Sequence, residues 1–157
     1  MSTATPATRY LAKQGLAFEV LEYTYAPGKD RVGLQAAEAI GMPADHVFKT
    51  LMVEVDGKPA CVVIPSDQTV SMKRAAAAFG GKSAKMMDQA KAERLTGYHT
   101  GGISPFGQKK RVPVAVHECP ALDTPLVVNG GKRGMMLRLD LRAAAQQLNA
   151  QFRPLCA

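Results

Sequence analysis

A β-hairpin near the middle of the chain is the sequence feature that most limits the possible folds. Hydrophobic residues recur at alternate positions from Val47 to Val55, which is typical of a strand with a buried face. Asp56-Gly57 then supplies a two-residue turn of the kind that joins antiparallel strands, and Pro59–Pro65 has the composition of the returning strand. We therefore expect a tight antiparallel pair here.

Shorter segments surround this hairpin and are separated by regular turn signals. Thr5 followed by Pro6 predicts an N-cap and the first residue of a helix that stops at Gly15. Short strands with helices between them predict an α+β fold with a mixed, partly closed sheet rather than a doubly wound parallel one. Further strands are expected at Ala17–Tyr25, Val112–His117, Leu126–Asn129 and Met135–Leu139, and further helices at Leu34–Ile40, from Ser71 to Phe79, from Asp88 to Leu95 and after Asp140.

Length and composition favour one globular domain over residues 1–157. With 157 residues and 46% hydrophobic residues, the chain can bury a core, so disorder throughout is excluded. No apolar run approaches the roughly 20 residues of a membrane-spanning helix, and the first ten residues lack the pattern of a secretory signal. We therefore expect a cytoplasmic protein with no membrane partner, in which Cys61, Cys119 and Cys156 are reduced.

The charge balance is the first indication of a partner. Twenty Lys and Arg residues against thirteen Asp and Glu residues give a net charge of +7. Such a surface suits a polyanion such as nucleic acid, although many soluble domains are simply basic.

Several classes of enzyme lack their signature in this chain. His46, His99 and His117 have no metal-ligand spacing among themselves, and none lies near a pair of cysteines, so we expect no metal site. Gly97 and Gly102 have the spacing of the two glycines that begin a P-loop motif. The motif then requires Lys followed by Ser or Thr, but Ile103-Ser104 stands there, so the motif is incomplete. A Rossmann glycine motif and a nucleophile elbow are also missing, so no cofactor is expected.

Lys49 interrupts the apolar face of the clearest strand. It shares that face with Val47, Leu51, Val53 and Val55. A lysine directed inward costs free energy unless it is paired or lines a cavity, so it indicates a polar site that opens into the core. A bulge, or a strand end from which the side chain reaches water, would explain it equally well.

Two glycine-rich segments carry adjacent cations. In Gly101–Gly107 the paired glycines allow a ligand to approach the backbone, and free N–H groups there can bind carbonyl or phosphate oxygens. Asn129–Gly134 is predicted to be a flexible hairpin loop between two strands. Both segments could instead be solvated turns. Their cations are Lys109, Lys110, Arg111, Lys132 and Arg133.

Five segments match one family pattern in order and spacing over nearly the whole chain. They are Val47–Leu51, Thr96–Tyr98, Gly101–Pro105, Gly107–Val112 and Gly130–Gly134. Together they resemble the YbaK family, the bacterial Cys-tRNA(Pro) deacylases related to the editing domain of prolyl-tRNA synthetase. The resemblance implies a mixed, mostly antiparallel, β-barrel-like sheet flanked by helices.

The same resemblance implies a function and a set of site residues. The function is hydrolysis of cysteine mischarged onto proline tRNA, in which Lys49 is essential and orients the substrate. The substrate's own thiol attacks its ester carbonyl, so the protein supplies no nucleophile. The cations would bind the acceptor end of the tRNA, and prolyl-tRNA synthetase is a candidate partner. The implied substrate-binding residues are Tyr23, Val32, Thr50, Gly101, Gly102, Ser104, Pro105, Asn129, Gly130 and Gly131.

Two positions depart from the family pattern. Val32 stands where relatives can carry an aromatic residue, and Asn129 replaces a smaller hydroxyl residue. Either change could alter the choice among small amino acids, so an Ala-tRNA(Pro) deacylase is the alternative enzyme. A non-catalytic module that binds tRNA or nucleotides is the alternative outside the enzymes, and Lys49 argues against it.

Overall fold

The computed structural model of the protein describes residues 4–26 and 32–157. Helices and short strands alternate along this part of the chain. The helices are α1 (Pro6–Lys13), α2 (Val32–Ile40), α3 (Met72–Ala78), α4 (Gln89–Thr96) and α5 (Leu141–Gln146), and 3₁₀ turns lie at Ala44–His46 and Pro120–Asp123. The strands are β1 (Glu19–Glu22), β2 (Phe48–Val55), β3 (Lys58–Pro65), β4 (Ala84–Met86), β5 (Val114–His117), β6 (Leu126–Lys132), β7 (Met135–Leu139) and β8 (Gln151–Arg153).

The strands form two sheets. One has the order β4-β2-β3-β5-β8, in which β5 runs parallel to β3 and to β8, and the other is the antiparallel sheet β1-β7-β6. Within the described residues, the sheets are joined by one parallel bridge between Val47 and Val127. The expected α+β class with mixed, mostly antiparallel strands is confirmed. The expected single, partly closed sheet is replaced by two open sheets, because pairing between β2 and β6 goes no further than this bridge.

The β2–β3 hairpin is the longest ladder in the described structure. Eight residue pairs run from Phe48 opposite Pro65 to Val55 opposite Lys58. Asp56 and Gly57 have φ angles of 49° and 81°, which is the conformation that a two-residue turn between twisted strands requires. The predicted hairpin is confirmed.

Both faces of β2 are covered. Phe48 and Met52 belong to the largest buried cluster, which also contains side chains of α1, β6, β7 and α5. Val53 and Val55 point to the other face and pack in a second cluster with the alanines of α3. The apolar face that contains Lys49 is therefore buried at Val47, Val53 and Val55, as expected, and half-buried at Lys49 and Leu51, but it is not the only inward face.

Each helix predicted to begin at a capping residue does so. The side chains of Thr5, Ser71, Asp88 and Asp140 accept hydrogen bonds from backbone N–H groups in the first turn of α1, α3, α4 and α5. These caps depend on local sequence alone, which explains why they could be predicted.

The boundaries of two strands differ from the prediction. β1 is confined to Glu19–Glu22, although Ala17–Tyr25 was expected, because its antiparallel partner β7 begins at Met135, opposite Glu22. β6 runs on to Lys132, so the expected flexible loop at Asn129–Gly134 is wrong. A β-bulge between Asn129 and Lys132 takes up the two glycines, and the turn itself is Arg133-Gly134.

The described residues contain no helix long and apolar enough to cross a membrane. The three cysteines are unpaired, and Cys61 is buried in the core as predicted.

Candidate active site

A large cavity among the described residues lies where the two sheets separate. Its volume is about 410 Å³, and its walls come from β2, β4, α4, the segment Thr100–Ile103 and β6. The described lining residues are Gly33, Phe48, Lys49, Thr50, Leu51, Met52, Ser66, Met86, Met87, Gln89, Ala92, Thr100, Gly101, Ile103, Asn129 and Met136. Its surface is mainly apolar and has few polar groups, which is typical of a small-molecule site.

One wall of the cavity is a strand edge without a partner. β4 pairs with β2 at Val53–Val55, and the carbonyl oxygen of Met52 accepts a hydrogen bond from the N–H of Met87 at 3.0 Å. Backbone groups of alternate strand residues point to the same edge, so Thr50 turns its N–H and carbonyl to this edge as well. The described part of the chain places no strand beside Thr50 there. Unpaired backbone groups of this kind are available to a ligand.

Lys49 is half-buried in the cavity wall, at the end of β2 near the bridge to β6. Its Nζ donates a hydrogen bond to the carbonyl oxygen of Ser66 at 3.4 Å. Ser66 itself is held by its N–H, which donates to the carbonyl oxygen of Val47 at 2.8 Å, and by its hydroxyl, which donates to the same oxygen. Lys49 is the one cationic side chain among the described lining residues.

Helix α2 approaches this corner closely because of Gly33. A Cβ on Gly33 would lie 2.2 Å from Oγ of Ser66, so a larger residue there would push α2 away from the cavity. Val32 begins α2, and its side chain lies outside what the structure describes.

Two buried hydroxyl groups near this corner make no hydrogen bond with any described residue. Oγ1 of Thr50 lies in the cavity wall, and Oη of Tyr23 lies near the cluster of Ala36, Ala37 and Val127 rather than in that wall. Burial raises the pKa of the Tyr23 hydroxyl, so it stays protonated. A buried hydroxyl without a partner is costly, so the Thr50 hydroxyl is available to a bound ligand.

The segment at Thr100 and Gly101 forms the opposite wall. Gly101 has a φ angle of 91°, and its carbonyl oxygen accepts a hydrogen bond from Nδ2 of Asn129 at 3.2 Å. The N–H of Thr100 donates to the Glu93 carboxylate at 2.7 Å, which lowers the pKa of Glu93. The N–H of Gly101 donates to no atom of the described residues. Arg133, which is not among the described lining residues, donates a hydrogen bond from its Nε–H to the carbonyl oxygen of Thr100.

The other predicted site residues of Gly101–Gly107 contact the rest of the protein and do not line the main cavity. Ser104 is fully buried, and its hydroxyl accepts the N–H of Phe106 at 3.2 Å. A Cβ on Gly102 would lie 2.8 Å from the backbone of Lys132 and Arg133. Pro105 lines a second cavity of about 100 Å³, not the main one.

The two glycines of the β6 bulge face α1 rather than the cavity. The carbonyl oxygen of Gly130 accepts a hydrogen bond from the hydroxyl of Thr5, and the N–H of Gly131 donates to Oδ1 of Asn129 at 2.7 Å. A Cβ on Gly131 would lie 3.0 Å from the Tyr98 ring. The bulge therefore positions Asn129, which does line the cavity.

The predicted cations lie outside the main cavity. Lys109 and Lys110 are exposed just beyond α4, where their N–H groups donate to carbonyl oxygens of Thr96 and Leu95. Arg111 is exposed and lines the smaller cavity with Pro105. Lys132 is half-buried and Arg133 is exposed, both at the end of the β6–β7 hairpin.

Most of the apolar wall was not predicted from the sequence. Four methionines, Met52, Met86, Met87 and Met136, line the cavity although they come from three distant parts of the sequence, and no sequence signal linked these parts. Phe48 and Met52 could have been found, since they share the alternate face of β2 with Thr50. Ser66 carried no signal, because its position depends on the β2–β3 register.

The walls of the cavity lack an activated nucleophile. No cysteine or histidine lies among the described lining residues. Burial raises the pKa of the Cys61 thiol to about 12 and that of Cys156 to about 11, so both are protonated near neutral pH. The described residues also contain no group of three or more His, Cys, Asp or Glu that could hold a metal ion.

Comparisons with known proteins agree on one family. The pattern of the aminoacyl-tRNA editing domain matches residues 29–146. A protein of Enterococcus faecalis, which carries the provisional name Cys-tRNA(Pro)/Cys-tRNA(Cys) deacylase EbsC, is 37% identical over 83% of this chain and 81% of its own length. A proline–tRNA ligase of Maridesulfovibrio salexigens is 29% identical over 62% of this chain, which corresponds to 17% of the ligase.

A solved structure has the same fold. It is provisionally titled a trans-editing enzyme for prolyl tRNA synthetase, and it superposes with a TM-score of 0.84 over 100% of this chain and 98% of its own. The two sequences are 20% identical, so this similarity establishes the fold.

Proposed function

Because the chain belongs to the aminoacyl-tRNA editing domain family, we propose that it is a trans-editing deacylase that removes cysteine from mischarged Cys-tRNA(Pro). The relative from E. faecalis, which is similar over most of both chains, is named for activity on Cys-tRNA(Pro) and Cys-tRNA(Cys). The proposed reaction uses no metal or cofactor, and the proposed location is the cytoplasm, where aminoacyl-tRNA is used.

The observation that carries this proposal is the set of polar groups on the cavity wall. Lys49 offers a positive charge, and Thr50 offers a hydroxyl and Gly101 an N–H that have no hydrogen-bond partner among the described residues. An aminoacyl ester has a carbonyl oxygen, a ribose and a nearby phosphate that such groups can bind. Groups fixed in a mainly apolar cavity stabilise developing negative charge more strongly than they would in water.

The proposed chemistry uses the substrate as its own nucleophile. The cysteine sulfur attacks the carbonyl carbon of its ester, the carbon–oxygen bond to the ribose breaks, and the thiol proton ends on the ribose oxygen. The products are a cyclic thiolactone and free tRNA. The protein then contributes orientation and charge stabilisation, which fits a cavity whose described walls hold no activated nucleophile.

The proposed tRNA contacts are the surface cations Lys109, Lys110, Arg111 and Lys132. They flank the two glycine segments, and phosphate contacts there would bind the acceptor end without reading its sequence. A prolyl-tRNA synthetase is the proposed partner that supplies the mischarged tRNA.

A deacylation assay with four substrates tests this function. We expect rapid release of cysteine from Cys-tRNA(Pro), slow release from Ala-tRNA(Pro) and a trapped thiolactone product. Ser-tRNA(Pro) is the matched control, because a hydroxyl is a weaker nucleophile than a thiol, and it should react far more slowly. The rate of deacylation of Cys-tRNA(Cys) shows whether the protein distinguishes one tRNA from another when the amino acid is the same.

Three outcomes would contradict parts of this proposal. Equal rates for the cysteine and serine esters would indicate attack by water. Preference for Ala-tRNA(Pro) would establish the alternative specificity. Tight binding of every substrate without hydrolysis would show a non-catalytic tRNA-binding module.

A further inference from the structure

Arg133 makes two contacts that fix its side chain beside the glycine wall of the cavity. Its Nε–H donates a hydrogen bond to the carbonyl oxygen of Thr100 at 2.8 Å. Its guanidinium lies over the ring of Tyr25, 5.3 Å from the ring centroid, which is within the range of a cation–π contact. Although exposed, this arginine is therefore engaged with the protein on two sides.

These contacts determine the direction of one peptide group. The described chain contains no cis peptide bond, so the carbonyl of Thr100 and the N–H of Gly101 point in opposite directions. The carbonyl points to Arg133, which does not line the cavity, whereas Thr100 and Gly101 do. The Gly101 N–H, which has no partner among the described residues, is accordingly turned away from Arg133, and Gly101 itself lines the cavity.

The neighbouring backbone groups are held by other residues. Glu93 accepts the N–H of Thr100 at 2.7 Å, Asn129 donates to the carbonyl of Gly101 at 3.2 Å, and the N–H of Gly102 donates to the carbonyl of His99 at 2.8 Å. A Cβ on Gly101 would lie 3.3 Å from both Nε of Arg133 and Oη of Tyr25. Arg133 is thus one of several residues that hold the backbone around the Gly101 N–H, which has no partner among the described residues.

We propose that Arg133 is a positioning residue, which aims the Gly101 N–H at the ester carbonyl of the substrate rather than binding tRNA phosphate. The proposal rests on the proposed deacylase function for its substrate. It assigns Arg133 a role different from that of the other surface cations. Lysine could not replace it, because the contacts need the planar guanidinium and the Nε–H together.

Charge-conserving substitution separates positioning from phosphate binding. We expect Arg133→Lys and Arg133→Ala to lower kcat on Cys-tRNA(Pro) alike, by roughly 10- to 100-fold, because a small displacement of a catalytic group has effects of that size. KM and the dependence of tRNA binding on salt should change little. Arg138→Lys is the matched control, since Arg138 is a half-buried arginine on β7 of the same hairpin and pairs with Glu19.

Amide hydrogen exchange provides a readout that does not depend on activity. In Arg133→Lys the hydrogen-bonded amides of Thr100 and Gly102 should exchange faster than in the wild type, whereas those of β2 should be unchanged. The exchange rates test whether Arg133 fixes this segment even if the wild type deacylates none of the substrates. A complete lack of deacylation would overturn the proposed function, and the exchange rates would still show whether Arg133 holds the segment.

The opposite pattern would overturn the proposal. If Arg133→Lys restores the activity that Arg133→Ala loses, and if the alanine variant raises KM and flattens the salt dependence, Arg133 binds phosphate. Unchanged exchange at Thr100 and Gly102 in both variants would also exclude a positioning role.

Discussion

Thr50 shows how a single residue on the cavity wall can be placed for binding rather than for stability. Its hydroxyl is buried and has no hydrogen-bond partner in the described part of the chain, and an unsatisfied buried polar group costs about 1–3 kcal/mol. The same position in β2 also turns backbone groups to an unpaired strand edge. A valine would fill the same space without this cost, so the hydroxyl is best explained by a ligand contact.

Thr50→Val should therefore change stability and activity in opposite directions. We expect the free energy of unfolding to stay level or rise by up to about 1–2 kcal/mol, because a buried unsatisfied hydroxyl is removed. We expect kcat/KM for Cys-tRNA(Pro) to fall roughly 10-fold, which corresponds to about 1.4 kcal/mol for one missing hydrogen bond. Thr50→Ser, which keeps the hydroxyl, should retain most of the activity. Full activity in the Thr50→Val variant would show that the Thr50 hydroxyl does not contribute to catalysis or substrate binding.

At the scale of single elements, the bulge in β6 connects the cavity to the rest of the fold. Gly131 has a φ angle of 104° and packs against Thr5 and Tyr98, while Asn129 at the start of the bulge reaches the Gly101 carbonyl. Irregular strands of this kind often direct a side chain into a site. The bulge thus connects Thr5, the N-cap of α1, with Asn129 in the cavity wall.

Gly131→Ala should be more destabilising than the same substitution at Gly15. Both glycines have positive φ angles, but a Cβ on Gly131 would contact Tyr98 at 3.0 Å, whereas a Cβ on Gly15 would meet nothing within 4 Å. We expect losses of about 2–4 kcal/mol for Gly131 and about 1–2 kcal/mol for Gly15, measured by chemical denaturation. Equal losses of unfolding free energy at the two positions would show that the bulge can accommodate a Cβ without additional destabilisation.

The elements that the sequence predicts well are those whose signals are local. The β2–β3 hairpin follows from alternation and Asp56-Gly57, and the helix starts follow from capping residues that bond within one turn. β4 and β8 were not predicted, because strands of three residues depend on a neighbouring strand. The bulge was mistaken for a loop, because its geometry is set by Thr5, which lies 125 residues away in the chain.

The cavity was only partly predictable for the same reason. Periodicity singled out Lys49, and the family resemblance added Thr50, Gly101 and Asn129, all of which line the cavity. The methionine wall and Ser66 come together only through strand register and the separation of the two sheets. Ser104, Gly130 and Gly131 share motifs with site residues, yet their contacts here are with the protein itself.

At the scale of the whole molecule, the net charge of +7 favours association with a polyanion. Lys109 and Lys110 are exposed and outside the main cavity, so they suit contacts with the tRNA backbone rather than with the reacting ester. Their role should therefore be separable from that of Lys49.

Replacing Lys109 and Lys110 together with alanine should weaken substrate binding more than catalysis. We expect KM to rise with little change in kcat, and the slope of log K against log salt to flatten by roughly 0.7–0.9 for each phosphate that is no longer neutralised. The double variant Lys58→Ala/Lys73→Ala removes the same charge from exposed positions elsewhere and is the control. An unchanged affinity and salt slope would show that these lysines are only a solvated surface.

The central claim is that the cavity holding Lys49 is the site of ester hydrolysis. The most direct measurement is the single-turnover rate of Cys-tRNA(Pro) deacylation by the wild type and by Lys49→Ala, with the thermal stability of both measured alongside. We predict a rate at least roughly 100-fold lower in the variant, because a fixed charge is removed from a mainly apolar cavity, with an unchanged melting temperature. A folded Lys49→Ala variant that deacylates at the wild-type rate would contradict this account.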